Sequence, residues 1–243
     1  MRKFVKPIML LMDTKTHAHM DEELSRLRSD AIEMWESVIS QLGKARAVVE
    51  NDNRDLINEI AAGEKRIDAF ELKIDMDCER MLALYTPVAN DLRLILAILK
   101  INYNLERIGD FAWGIAKLFR DNQSVMSKES LEKSNLSVMF DDCDDMLKTA
   151  LSAFETDNNE LAAIIFDKDK ILDMNNKNAN QIVAGLIQSD PQGILNYLNL
   201  HTLIRRLERV GDHTKNIAEE IIFYVEAKVI RHKRKKNKGP AAD

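Results

Sequence analysis

The sequence predicts an all-α protein made of two tandem antiparallel three-helix bundles, and three observations predict it. Only four prolines and eight glycines interrupt 243 residues, aromatic side chains make up 6%, and Glu, Lys, Leu, Ile, Ala and Asn dominate. Such a composition belongs to long helices. Apolar residues recur at the spacing of helices that bury one face. Finally, the run Asn104-Leu-Glu-Arg-Ile-Gly-Asp110 returns as Arg206-Leu-Glu-Arg-Val-Gly-Asp212. A recurrence of this length marks a structural unit copied within one chain.

After an irregular start, Asp21-Glu-Glu places acidic residues where a helix dipole favours them. Leu24, Leu27, Ala31, Met34, Trp35, Val38 and Leu42 then follow at helical spacing, giving a first helix to about Glu50. Asn51-Asp-Asn supplies a turn. A second helix carries Leu56, Ile57, Ile60, Ile67, Phe70, Ile74, Met81 and Leu82. Thr86-Pro87 reads as a cap with proline at the first helical position, and it opens a third helix that runs to about Arg120. That helix is apolar at most angles, so it should be the more buried. The polar stretch 121–130 connects the halves. A fourth helix spans about Lys128 to Glu155, Asp157-Asn-Asn-Glu160 has capping-box spacing for a fifth, and Asp190-Pro191 launches a sixth to about Ile230. The expected units are therefore residues 20–120 and 128–230, followed by a basic, solvated tail over 231–243.

Charge and cysteine content narrow the function classes. The net charge is −5, yet Lys228, Arg231, Lys233, Arg234, Lys235, Lys236 and Lys238 crowd the last sixteen positions; setting those seven cations aside leaves −12 for the body. A basic tail of this kind suits either an anionic surface or simple solvation, and the acidic body gives no reason to expect nucleic acid. Nowhere do apolar residues run for the ~20 positions that a membrane-spanning helix needs. The start lacks a signal-peptide core, so a cytoplasmic protein is expected. Cys78 and Cys143 form neither a CxxC nor a zinc spacing. No nucleophile with a positioned base, no Gly-rich phosphate loop and no histidine cluster is present; His17, His19, His201 and His213 each read as surface histidines.

The repeated run puts a Glu and an Asp four residues apart, on one helical face, with a Gly between them that a helix tolerates at a cost of about 1 kcal/mol. That position needs room for a neighbour. In an antiparallel hairpin, residues equidistant from the turn lie at one height. Around Pro87, Glu64 then faces Asp110 and Asp68 faces Glu106; around Asp190-Pro191, Asp169 faces Asp212 and Asp173 faces Glu208. Four carboxylates gathered between two helices repel unless protons or a cation neutralise them. Oxygen-only ligation suits Mg²⁺, Mn²⁺, Ca²⁺ or iron. Asn216, one turn beyond Asp212, offers a further carbonyl, whereas its first-half counterpart is Gly114, so the first site should be poorer by one oxygen. The plain alternative is a solvated acidic surface, in which Arg205 and Lys215 satisfy Glu208 and Asp212 by ordinary ion pairs.

The segments Leu82-Ala-Leu-Tyr-Thr-Pro-Val-Ala-Asn-Asp-Leu-Arg93, Leu105-Glu-Arg-Ile-Gly-Asp110 and Leu207-Glu-Arg-Val-Gly-Asp-His-Thr-Lys-Asn-Ile-Ala-Glu-Glu220 resemble the PhoU family of phosphate-signalling regulators over about residues 20 to 230. The resemblance implies a six-helix repeat and multinuclear metal clusters of iron, zinc, manganese or magnesium. Its metal motifs fall on Glu64, Asp68, Glu106, Asp110, Asp169, Asp173, Glu208, Asp212 and Asn216, with Gly114 standing where the family commonly has Asn. It further implies a cytoplasmic, often homodimeric, non-enzymatic negative regulator of the phosphate regulon. Such a protein couples the phosphate ABC transporter, through its ATPase, to a phosphate sensor histidine kinase and meets the membrane only through partners. Two other classes compete: a di-metal carboxylate oxidoreductase of the ferritin-like kind, which would normally use ExxH pairs, and a metal-free helical scaffold.

Overall fold

The computed structural model describes residues 5–122 and 126–227. Among them run seven α-helices: α1 Val5–Asn51, α2 Leu56–Tyr85, α3 Ala89–Asn122, α4 Lys128–Ser134, α5 Leu136–Glu155, α6 Asn159–Ser189 and α7 Ile194–Glu226. The expected basic tail at 231–243 lies outside the described residues.

The apolar spacing builds the core as expected. Leu24, Leu27, Ala31, Met34, Trp35, Val38 and Leu42 of α1 are all buried, as are Ile57, Ile60, Ile67, Ile74 and Met81 of α2. In α3 the buried line is Ile95, Ile98, Ile101, Leu105 and Ile108. Helices α1, α2 and α3 pack together as one bundle and α5, α6 and α7 as the other, while α3 against α7 and α1 against α5 join them. Short turns between long helices enforce antiparallel neighbours.

Four local expectations need correction. The chain ahead of Asp21 is helical from Val5 rather than irregular. The fourth helix is two helices: Asn135 takes a left-handed conformation (φ 53°) that closes α4, and α5 starts immediately after it. An interior Asn tolerates that conformation better than most residues, because its short polar side chain bonds locally. Thr86 is likewise left-handed (φ 49°) and closes α2, so Pro87 stands in the connection and α3 begins at Ala89. The residue before a proline avoids the helical region, which is why α2 ends there. At the second turn Pro191 does open a helical turn, the 3-10 segment Pro191–Gly193, under the side chain of Asp190, which accepts from the Gln192 N–H. The cap of α6 is Asn158, accepting from the Leu161 N–H, one residue later than the capping-box spacing suggests.

Candidate metal centre

The repeat run lies mid-way along α3 and α7, and the glycine within it sets how closely the partner helix approaches. A methyl group on Gly211 would sit 2.5 Å from Leu172 Cδ1 of α6, and one on Gly109 would sit 3.1 Å from Ile67 Cδ1 of α2. The missing side chains let the neighbouring helix lean in beside the carboxylates. That close approach is the room the sequence position demanded.

In the first half, Glu64 and Asp110 meet across the α2–α3 contact through a carboxyl hydrogen bond, and the Glu64 carboxyl is pushed up to about 7, first by burial and then by that bond. Glu106 is pushed up to about 7 by burial and by the charge of Asp110, with Glu71 and Asp68 adding to the repulsion. Asp68 lies on the exposed side of the cluster. Arg107 was not anticipated as a partner: its Nη1 donates to Asp110 Oδ2 at 2.7 Å. Its Nε stands 3.0 Å from Glu106 Oε2 without the alignment of a hydrogen bond, so both buried atoms stay unsatisfied. Gln41 of α1 was missed altogether. Its amide donates to Glu64 Oε2 at 2.8 Å and to the Gly109 carbonyl at 3.2 Å, tying the third helix of the bundle to the cluster. The available signal was a polar residue beside Val38, Leu42 and Ala45, at a position of α1 that is only 3% exposed.

In the second half, Asp169, Asp173 and Asp212 bring carboxylate oxygens within 4.8 Å of one another. Asp169 is 4% exposed, and burial raises its pKa. Burial and the charge of Asp212 raise that of Glu208, while a hydrogen bond with Asn176 opposes the rise. Lys215 is the dominant counter-ion, with its Nζ 2.5 Å from Asp169 Oδ2 and 3.0 Å from Asp212 Oδ1. Arg209, rather than Arg205, lies toward Asp212, at 3.7 Å. Asn216 turns the other way: its amide donates to Asn104 Oδ1 on α3 at 3.3 Å.

Across the first hairpin Glu64 meets Asp110, with Asp68 and Glu106 within electrostatic reach of the pair; across the second, Asp169, Asp173 and Asp212 meet, with Glu208 in reach of Asp212 and Asp173. Among the described residues, the three carboxylates whose oxygens stand close enough to share one ion are those of the second half. Asn216 belongs instead to the contact between the halves, beside His213, whose Nδ1 is 2.8 Å from Asn104 Oδ1 and whose ring packs 5.6 Å from that of Phe111. His213 is half-buried there, and burial lowers its pKa; it is not the surface histidine expected. All donors in the two clusters are oxygens, and Glu106 Oε2 is buried and unsatisfied. Such a set fits a hard or borderline divalent cation.

Known proteins share this helical fold. Residues 31–119 and 136–221 each match the profile of the PhoU domain. The phosphate-specific transport system accessory protein PhoU homolog of Pseudomonas aeruginosa is 32% identical over 231 residues, covering 92% of this chain and 93% of that protein. The corresponding PhoU of Escherichia coli is 30% identical over 216 residues, 86% of each. Crystal structures of PhoU from P. aeruginosa and of the phosphate transport system regulatory protein PhoU from Streptococcus pneumoniae superpose with TM-scores of 0.78 and 0.77. Their identities are 31% and 26%, and they cover 86% and 87% of this chain and 99% of each of theirs. With two domain copies matched in sequence and more than four-fifths of the chain matched in space, this chain belongs to the PhoU family.

Proposed function

We propose that this protein is a non-enzymatic accessory of phosphate-specific transport. On this reading it reports transport to a sensor histidine kinase and holds the phosphate-starvation response off when phosphate is plentiful. Its partners would be the transporter's ATPase, the kinase and a second copy of the chain, all met in the cytoplasm. Relatives named as phosphate-specific transport system accessory proteins match more than nine-tenths of the chain, and among the described residues no helix is long and apolar enough to cross a membrane.

The observation that carries the metal part of the reading is the pairing of Glu64, Asp68, Glu106 and Asp110, and of Asp169, Asp173, Glu208 and Asp212, each across one helix contact. Divalent cations held there would supply positive charge in place of shared protons, and each cluster would clamp its two helices together. A ferritin-like oxidoreductase finds less support, because His213, the neighbour of Asp212 in the chain, faces Asn104 rather than the carboxylates.

Deleting the gene tests the regulatory reading. Phosphate-starvation transcription should switch on in phosphate-rich medium, and repression that persists in full would sink it. Elemental analysis of protein purified without chelator tests the metal reading: a divalent metal should co-purify, and its content should fall when Glu106→Gln and Asp212→Asn are combined.

A further inference from the structure

The seam between α3 and α7 has two ends that the repeat relates to each other, and their polar groups are settled differently. At one end Leu99, Lys100, Tyr103, Asn104, His213 and Asn216 line a groove. Its polar groups are matched: Asn104 Oδ1 takes the Asn216 amide and faces His213 Nδ1, and the Lys100 ammonium bonds at 2.9 Å to Glu220, which is 2% exposed. At the other end the 102-residue offset puts Arg206 where Asn104 stands, and Phe111, Gly114 and Leu118 where His213, Asn216 and Glu220 stand. None of those three replacements has a polar side chain, and a cation has been added. The Arg206 guanidinium lies against α3, its carbon 3.0 Å from where a methyl group on Gly114 would sit, and its Nη1 is buried without a partner. Burial lowers its pKa, and no carboxylate opposes the fall. Arg205, beside it in the chain, is exposed and stands in no ion pair among the described residues.

Other arginines of this acidic chain find carboxylates: Arg28, Arg46 and Arg107 approach Asp157, Asp141 and Asp110 at 2.7, 2.5 and 2.7 Å. A half-buried guanidinium with no counter-charge is unfavourable until an anion meets it. We propose that the Arg206 end of the α3–α7 seam is a binding site for a phosphate-type oxyanion, held by the Arg206 guanidinium with Arg205 as the second cation. A guanidinium presents paired donors that match the oxygens of phosphate or carboxylate. Successive residues of a helix point about 100° apart, so two arginines in sequence approach an anion from different directions. A tetrahedral group offers oxygens to both, whereas a carboxylate offers them in one plane. Gly114 leaves the α3 backbone bare and so makes the room in which the guanidinium lies. The site shares no residue with either carboxylate cluster and does not rest on the metal reading. It gives the protein a direct contact with the class of ion whose transport it is proposed to accompany.

Calorimetry and thermal melting of the chelator-treated full chain at constant ionic strength, with inorganic phosphate, glycerol 3-phosphate and acetate as probes, test this. Inorganic phosphate or the phosphomonoester should bind at one site per chain and raise the melting temperature; the tighter of the two shows whether the group is a free ion or is carried on a small molecule. Arg206→Gln should weaken binding by about a hundredfold or more. Arg205→Gln, at an exposed position where the fold does not depend on it, should weaken binding by about tenfold. Without any probe Arg206→Gln should melt at or above wild type, since an unmatched buried cation is gone. Lys148→Gln removes an exposed cation already paired with Asp144 and should bind as wild type does. Acetate binding as tightly as phosphate overturns the tetrahedral assignment; no binding by the wild type, or binding indifferent to both arginines, overturns the site. None of these outcomes bears on the regulatory reading, which gene deletion tests separately.

Discussion

Glu64 and Glu106 carry the sharpest consequence of crowding. Both are held at about 7, chiefly by burial, against an ordinary value of 4.5. A carboxyl raised on folding contributes stability that is fully present below 4.5, while the proton is bound in both states, and that is lost as the pH climbs through about 7. Metal-free protein should therefore show urea midpoints that fall between pH 4.5 and 7, and Mn²⁺ should flatten or reverse the fall at the upper end; midpoints that rise over that range would contradict the geometry. Gly114 and Arg206 form a second pair whose logic the repeat exposes. On the offset of 102, Gly114 corresponds to Asn216 and Arg206 to Asn104, so the Asn104–Asn216 contact and the Gly114–Arg206 contact are copies of one another. A methyl group on Gly114 would lie 3.0 Å from the Arg206 guanidinium carbon, and Nη1 of that guanidinium is buried without a partner. The glycine exists to hold the arginine. Gly114→Asn alone should cost about 1–3 kcal/mol through overpacking. Gly114→Asn with Arg206→Asn should recover at least about 0.5–1 kcal/mol of that in a double-mutant cycle of denaturation.

Helix breaks in this protein depend on single residues that accept positive φ. Asn135 ends α4 by giving its N–H to the Glu132 carbonyl and serves at once as the residue before α5. Replacing it by Val should cost about 1–2 kcal/mol, because a β-branched side chain is forced into the left-handed region; Asn135→Gly should leave the melting temperature close to wild type. If both variants melt alike, the backbone conformation is not what limits that turn. Ser130 and Ser134 are buried although polar, and the apolar spacing skips from Leu131 to Leu136 around Asn135, a gap that one continuous helix passes over. The glycines of the repeat work differently. Gly109 and Gly211 have ordinary helical backbones and are needed for helix approach.

The two halves are joined by side chains that the repeat places about a pseudo-two-fold axis. Phe111 and His213, which correspond under the 102-residue offset, pack ring to ring, and α3 runs antiparallel to α7 from Lys100–Glu220 at one end to Gly114–Arg206 at the other. A second seam joins α1 to α5: Trp35 packs 6.0 Å from Phe154, Arg28 bonds to Asp157 and to the Phe154 carbonyl, and Arg46 reaches Asp141 at 2.5 Å. With α3 packed on α7 and α1 on α5, the bundles should unfold together. Trp35→Ala removes the largest fully buried side chain from that seam and should cost about 3–5 kcal/mol. It should also split a single calorimetric transition into two, and a single transition at lower temperature would show that α3 and α7 suffice to hold the halves together.

Periodicity, the repeat and the short turns were enough to read α1, α2, α3, α6 and α7, the buried faces of α1, α2 and α3, and the facing of Glu64 with Asp110 and of Asp169 with Asp212, because a helix fixes which residues share a face and a short antiparallel turn fixes which heights match. What neither rule contains is the contact between the halves. Asn216 lies on the helix that carries Asp212, but whether its amide faces the carboxylates or Asn104 depends on where α3 packs against α7. Lys215 was legible as a neighbour of Asp212, yet its hold on Asp169 required the α6–α7 approach that Gly211 permits. Gln41 joins the first cluster from α1, twenty-three residues before Glu64. Such links arise from packing between surfaces distant in the chain, and local spacing carries no record of them.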